Sequence, residues 1–299
     1  MKLIKNHIHH CTRGIWLDWQ AQGTRVTGNL FHDNIAPCKT NLEKAYEIGE
    51  DVFVEVSHGP TLIDHNVMLS PCSLRLSTQG IAVVHNLIAG SFTAVGECVN
   101  MNTTPYPNPR YTPYHVPHRT EIAGFMSILH GDARFYNNIF VQQDVREDLK
   151  ELTKKLTAQG MKDFMAAPNL TCGTNPYDGY PTKAEYDAQI HEIGVGLGNM
   201  NSYYSRLPLY TGGNVFFNGA VPCEQEQDIA VQCGEPVFIR ISKSENAYIL
   251  ETDIYEKMPV YMKKIIDSDI MGEAFEPEQR FENADGSELI LNNVSSITA

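Results

Sequence analysis

Two short stretches, GIWLDWQ at 14–20 and DVFVEV at 51–56, carry residue types suited to paired-carboxylate chemistry. In both, residues alternate as on a strand with one face inward. Leu17 and Val54 fall on the inward face, and Asp18 and Glu55 on the outward one. Trp16 and Phe53 stand two residues earlier, outward as well. As neighbours in a parallel stack, Asp18 and Glu55 lie about 4.8 Å apart. Like charges so placed destabilise a purely structural sheet, and the repulsion raises one carboxyl pKa. Retaining cleavage of a glycosidic bond uses such a pair, a nucleophile and an acid/base about 5–5.5 Å apart. The inverting reaction needs about 6.5–9.5 Å, to admit a water. One of Asp18 and Glu55 is then the nucleophile, expected on the first strand, and the other the acid/base, with Trp16 and Phe53 as a platform for the apolar face of a sugar.

The side-by-side placement rests on a repeat. Apolar residues flank an Asn at Asn6, Asn29, Asn66, Asn86, Asn138 and Asn214, with successive gaps of 23, 37, 20, 52 and 76 residues. A period of about twenty residues made of short strands suits a solenoid of stacked coils. Asn tolerates left-handed backbone and suits a corner. The Leu pattern of a leucine-rich repeat is absent. The expected fold is all-β, a right-handed parallel β-helix.

Eleven residues before Asn29, Asn66, Asn86 and Asn138 lie Asp18, Glu55, Arg75 and Ser127. This register predicts Leu17, Val54 and Leu74 inward, and Asp18, Glu55 and Arg75 in one outward row. Arg75 then balances Glu55 or meets substrate hydroxyls. Gln20 ends the first stretch, and His58 follows Glu55 at the strand's end, where it can bond a sugar hydroxyl. His118 and Arg119 lie on a long loop able to reach over the site.

The stack is expected over 1–140, with insertions at 34–50 and 96–121. Residues 141–198 read as a helical and loop excursion. A helix is predicted over 144–159, from Asp144 with Glu147 as a capping box, a Val145, Leu149, Leu152, Leu156 face, and Gly160 as the stop. Residues 199–220 add a further coil, and 221–299 a β-rich appendage.

Composition bounds the partners. A net charge of −13 over 299 residues opposes nucleic acid binding. No apolar run is long enough to span a membrane. Seven scattered cysteines without a C-x-x-C pair, and a start without an apolar leader core, fit a reduced, cytoplasmic protein. His7 and His9 in HIHH share a strand face, but with no third ligand evident no metal is assigned, and no cofactor. GVGLGN at 194–199 lacks the strand-then-helix setting of a nucleotide loop.

GIWLDWQAQGTRVTGNLF followed by DVFVEVSHGPTLIDHNV resembles glycoside hydrolase family 120, β-xylosidases built on a right-handed parallel β-helix. The resemblance covers roughly residues 1–140. It implies that the Asp of WLDW, Asp18, is the nucleophile and that Glu55 of the following coil is the acid/base. The implied substrate is a short xylo-oligosaccharide. Family members carry several hundred residues before this Asp, so the chain resembles their C-terminal half. Association with a missing N-terminal half, or a homo-oligomer, is then expected. The insertion at 34–50 lies between the two acids and can reshape the pocket. Two other readings stay open: a polysaccharide lyase on the same fold, using Arg75, and a non-catalytic fragment that binds glycans or a partner.

Overall fold

The computed structural model describes residues 1–35, 48–94, 110–158, 169–193, 206–227, 230–231, 235–245, 247–258, 265–275 and 277–291. It is mostly β, and the chain visits three parallel sheets in turn. The first sheet orders Lys2–Ile4, Arg25–Thr27, Thr61–Asp64, Gln79–Val84, Gly131–Tyr136 and Leu209–Gly212. The second runs from His7–His9 through Leu30–His32, Val67–Met68, Leu87–Ile88, Ile139–Val141 and Val215–Phe217 to Ala230–Val231. The third holds Arg13–Leu17, Glu50–Glu55, Cys72–Ser77 and Ser91–Ala94. One side chain per two residues of each strand turns inward. Ile15, Leu17, Val26, Phe31, Val52, Val54, Ile63, Met68, Leu74 and Leu76 build the common core.

The Asn markers form a buried ladder. Asn29 Nδ2 donates to Asn66 Oδ1 at 2.9 Å, and the same bond joins Asn66 to Asn86, Asn86 to Asn138 and Asn138 to Asn214, each at 3.0 Å. Each acceptor oxygen also takes the backbone N–H of the preceding Asn. The corner works differently from the expectation. The left-handed backbone belongs to the residue before each Asn: Lys5, Gly28, His65, His85, Asn137 and Gly213. The Asn itself is kept for its amide, which satisfies buried carbonyls that the turn would otherwise strand.

Two expectations are corrected, and one helix is added to them. Ile122–Ser127 is no member of the third sheet; it pairs antiparallel with Tyr111–His115 as a hairpin. The helix spans Glu147–Ala158, starting three residues after Asp144, although Leu149, Leu152 and Leu156 do bury against Ile35, Ile48 and Cys72. A second helix, Lys183–Ile193, has a capping box the reading passed over: Thr182 Oγ1 accepts Glu185 N–H at 3.2 Å, and Glu185 Oε2 accepts Thr182 N–H at 2.7 Å. The motif at 194–199, residues 36–47 of the first insertion and 96–109 of the second lie outside the described residues.

Beyond residue 221 the pairs Ile239–Lys243 with Tyr248–Thr252, Ile266–Asp267 with Ile290–Leu291, and Glu273–Ala274 with Gln279–Arg280 are antiparallel. Ile266, Met271, Ala274 and Phe281 pack on Leu62, Ala82 and Val84, the outward residues of the first sheet. No helix among the described residues is long and apolar enough to cross a membrane.

Candidate active site

The third sheet positions the acids. Arg13–Leu17 pairs Glu50–Glu55 with Trp16 opposite Phe53 and Leu17 opposite Val54. Asp18 follows Leu17 directly and is exposed, at the entry to a turn formed by Trp19 and Gln20. Asp18 and Glu55 each follow the last matched pair of these two strands, Leu17 and Val54. Trp16 shows that Glu55 does face outward, since its Nε1–H donates to Glu55 Oε2 at 3.0 Å. Arg110 closes the other side, its Nη1 donating to Glu55 Oε1 at 2.7 Å. Glu55 is thus only 2% exposed, while Trp16 beside it is 50% exposed.

The same face carries a stack of flat groups. The Trp16 and Phe53 rings lie 5.7 Å apart and 19° from parallel. The Arg13 guanidinium sits 4.6 Å from the Trp16 ring centre and 4.9 Å from that of Phe53, and Arg75 sits 5.5 Å from Phe53. Arg13 is itself fixed by Glu50 Oε1 at 2.5 Å. Phe53, expected as an open platform, is 1% exposed. It points outward but lies under Trp16 and the two guanidinium groups. The open aromatic surface is that of Trp16 and Trp19, each 50% exposed.

Arg75 stands opposite Phe53, and Glu55 opposite Ser77. The expected row of Asp18, Glu55 and Arg75 is therefore shifted by two residues at its third member, and Leu74 aligns with Val52. The cause is turn length. Six positions lead from Glu55 to Thr61, but four lead from Ser77 to Ile81, the residue opposite Thr61. Counting back from Asn86 misses that difference. The first two coils have turns of equal length, so Leu17 and Val54 stay matched.

His58 occupies the longer turn. It is 1% exposed beneath the hairpin, with Nε2 3.4 Å from the Thr112 carbonyl oxygen. Burial pushes its imidazole down to about 4, so it is neutral near pH 7. The hairpin separates it from the outward face, against the expected contact with a sugar hydroxyl. Gln20 and Arg119 line an adjoining cavity of about 840 Å³ together with Gln22, His115 and Gln279. Arg119 is paired with Glu121 at 3.7 Å. His118, on the same turn, bonds Glu282 at 2.7 Å. The structure thus brings Trp16, Phe53, Glu55 and Arg75 together on one sheet, with Asp18 at the end of the neighbouring strand; Gln20 and Arg119 line a different cavity, and His58 is buried against the hairpin.

Arg110, Arg13 and Trp19 were not singled out from sequence. Arg110 reaches Glu55 across 55 residues, and no spacing rule announces it. Trp19 was legible, as the second aromatic of WLDW; the Arg110 guanidinium lies 5.8 Å from its ring centre.

No family model matches the chain, and no curated protein matches it. Among solved structures, one described as "The complex structure of XylC with xylose" is similar to it, with a TM-score of 0.73 and 33% sequence identity. The likeness covers 97% of this chain and 38% of the XylC chain. The chain therefore spans well under half the length of that relative.

Proposed function

We propose that the chain is part of a retaining glycosidase, built on a right-handed parallel β-helix, that releases xylose from short β-xylo-oligosaccharides. The observation that supports this is the register of Trp16 with Phe53 and Leu17 with Val54, the residues that precede Asp18 and Glu55 on adjacent strands. The likeness to XylC, whose structure is described with xylose, supports the sugar.

In the proposed reaction an Asp18 carboxylate oxygen attacks the anomeric carbon. The glycosidic C–O bond breaks, and Glu55 gives its proton to the departing oxygen. The sugar is then held as an ester on Asp18. Glu55, now a carboxylate, takes a proton from water as that water attacks the same carbon. The ester opens, the sugar leaves, and both acids return to their starting forms. The environments divide the roles. Asp18, exposed at the end of its strand, is free to approach the sugar. Glu55 is clamped through both oxygens, which fixes the direction of its proton transfer. Trp16 offers its outer ring face to the sugar while its N–H holds Glu55.

The test is hydrolysis of p-nitrophenyl β-xyloside by the purified chain, alone and in any longer form that carries it. Asp18→Asn is the control. Turnover abolished by Asp18→Asn supports the assignment. Turnover of either form that survives Asp18→Asn overturns it.

A further inference from the structure

The outer face of the second sheet carries a second cluster, away from the acids. Strand His7–His9 pairs parallel with Leu30–His32, with His9 opposite His32. Because alternate residues share a face, His7, His9 and His32 project together. Their rings confirm it: His7 and His32 centres lie 4.9 Å apart, and His9 and His32 stack at 4.9 Å and 2°. Tyr248, from the strand Tyr248–Thr252, lies over them, 4.5 Å from His7 and 5.0 Å from His32. HIHH alone offers two imidazoles on one face; the third arrives from the next coil, 23 residues after His9.

His7 Nε2 and His32 Nε2 face each other at 2.7 Å. His32 Nδ1 lies 2.8 Å from Asp33 Oδ2, so that nitrogen donates to the carboxylate and Nε2 carries the lone pair. A carboxylate behind one nitrogen, with the other aimed at a second imidazole, is the arrangement that orients metal-ligating histidines. Two zinc–nitrogen bonds of about 2.0–2.1 Å at a tetrahedral angle place their nitrogens about 3.3 Å apart. A small rotation of exposed His7 opens the pair to that distance. Among the described residues no three His, Cys, Asp or Glu side chains already surround one point. Water or a turned His9 would complete the shell.

We propose that His7 and His32 form a binding site for a divalent transition cation of the zinc class, oriented by Asp33 and tying the first coil to the second. Imidazole pairs suit zinc, nickel and copper. His7 contributes a lone pair at Nε2 by holding its proton on Nδ1.

The test is isothermal titration of the tag-free chain, freed of metal by chelation, with ZnCl₂ at pH 7.5. Saturable binding is expected at one equivalent. His7→Ala, at an exposed position, weakens it by at least tenfold. Asp33→Asn, which keeps both ligands and suits the left-handed backbone at Asp33, weakens it about tenfold. His118→Ala leaves it unchanged, and circular dichroism shows each variant folded. Absence of saturable binding, or undiminished affinity in His7→Ala, overturns the proposal.

Discussion

Replacing Glu55 by Gln tests the geometry and the chemistry of this side chain separately. Both carboxylate oxygens face donors, Oε2 the Trp16 Nε1–H at 3.0 Å and Oε1 the Arg110 Nη1–H at 2.7 Å. An amide has one acceptor oxygen, so its NH₂ must turn toward one of those donors. A hydrogen bond to a charged group contributes about 1.5–3 kcal/mol, and a stranded buried group costs about 1–3 kcal/mol. Arg110 retains 21% side-chain exposure and can swing its guanidinium into water, which places the loss at the lower end. Glu55→Gln is therefore expected to lower the unfolding free energy by about 1–2 kcal/mol in urea denaturation. In an Arg110→Met background the same change should cost about 1 kcal/mol less, a coupling that a double-mutant cycle reads directly. In the active protein, xylobiose hydrolysis should fall by about 10²–10⁴-fold, because its leaving alkoxide needs a proton. Cleavage of an aryl xyloside with an acidic phenol should fall far less. Unchanged stability with no coupling to Arg110 would refute the clamp. Equal losses on good and poor leaving groups would refute the acid/base role.

Other perturbations address the scaffold and the platform. Asn86→Ala removes the acceptor of Asn66 N–H and Asn66 Nδ2–H and the donor to the Ile63 and Val84 carbonyls, so a loss of about 3 kcal/mol or more is expected in urea denaturation. Burial raises Asp51 to about 7, against hydrogen bonds from Ser70 and Asn34. Between about pH 4 and 7 the folded chain binds a proton there that the unfolded chain has lost, so this group's contribution to stability falls as pH rises through that window. Asp51→Asn should remove that fall, a relative gain of the order of 2 kcal/mol at pH 8 over pH 5, read from denaturation at the two pH values. Trp16→Phe keeps an aromatic face but deletes the N–H to Glu55; kcat/KM on xylobiose should drop about tenfold, with a smaller change in inhibition by free xylose.

The parts of the fold that repeat were legible, because a buried ladder demands one residue type at one place in every coil. Asn6 to Asn214 announced the stack, and two turns of equal length kept the count true for Leu17 and Val54, the residues before the acids. The count failed at Arg75, since a turn length is set by a few local residues and leaves no periodic trace. Ser127 failed for another reason: Ile122–Ser127 alternates like a stacked strand but finds its partner in Tyr111–His115 across a short reversal. Alternation reports which side chains share a face, not which strand lies beside them. His32 was missed because HIHH was read within one strand. The 23-residue coil spacing that relates Asn6 to Asn29 also relates His9 to His32.

Phe53 shows why direction and exposure must be argued apart. Alternation put it outward, and it is outward, yet it is covered as fully as a core residue. Its neighbours explain this. An outward row of Trp16, Phe53 and Arg75 on strands about 4.8 Å apart cannot keep three large flat groups separated, so they stack. Arg13 adds a second guanidinium over the pair. The row is then a rigid slab with Trp16 at its open edge, and the edge is where Trp16 Nε1 meets Glu55. A looser Trp16 would leave one oxygen of Glu55 without its donor. The aromatic side chain that opens toward solvent beside an acid is therefore held from below by Phe53 and from the side by Arg13. That support keeps Trp16 a fixed donor to Glu55 while its ring stays half exposed, as the proposed role of a sugar platform requires.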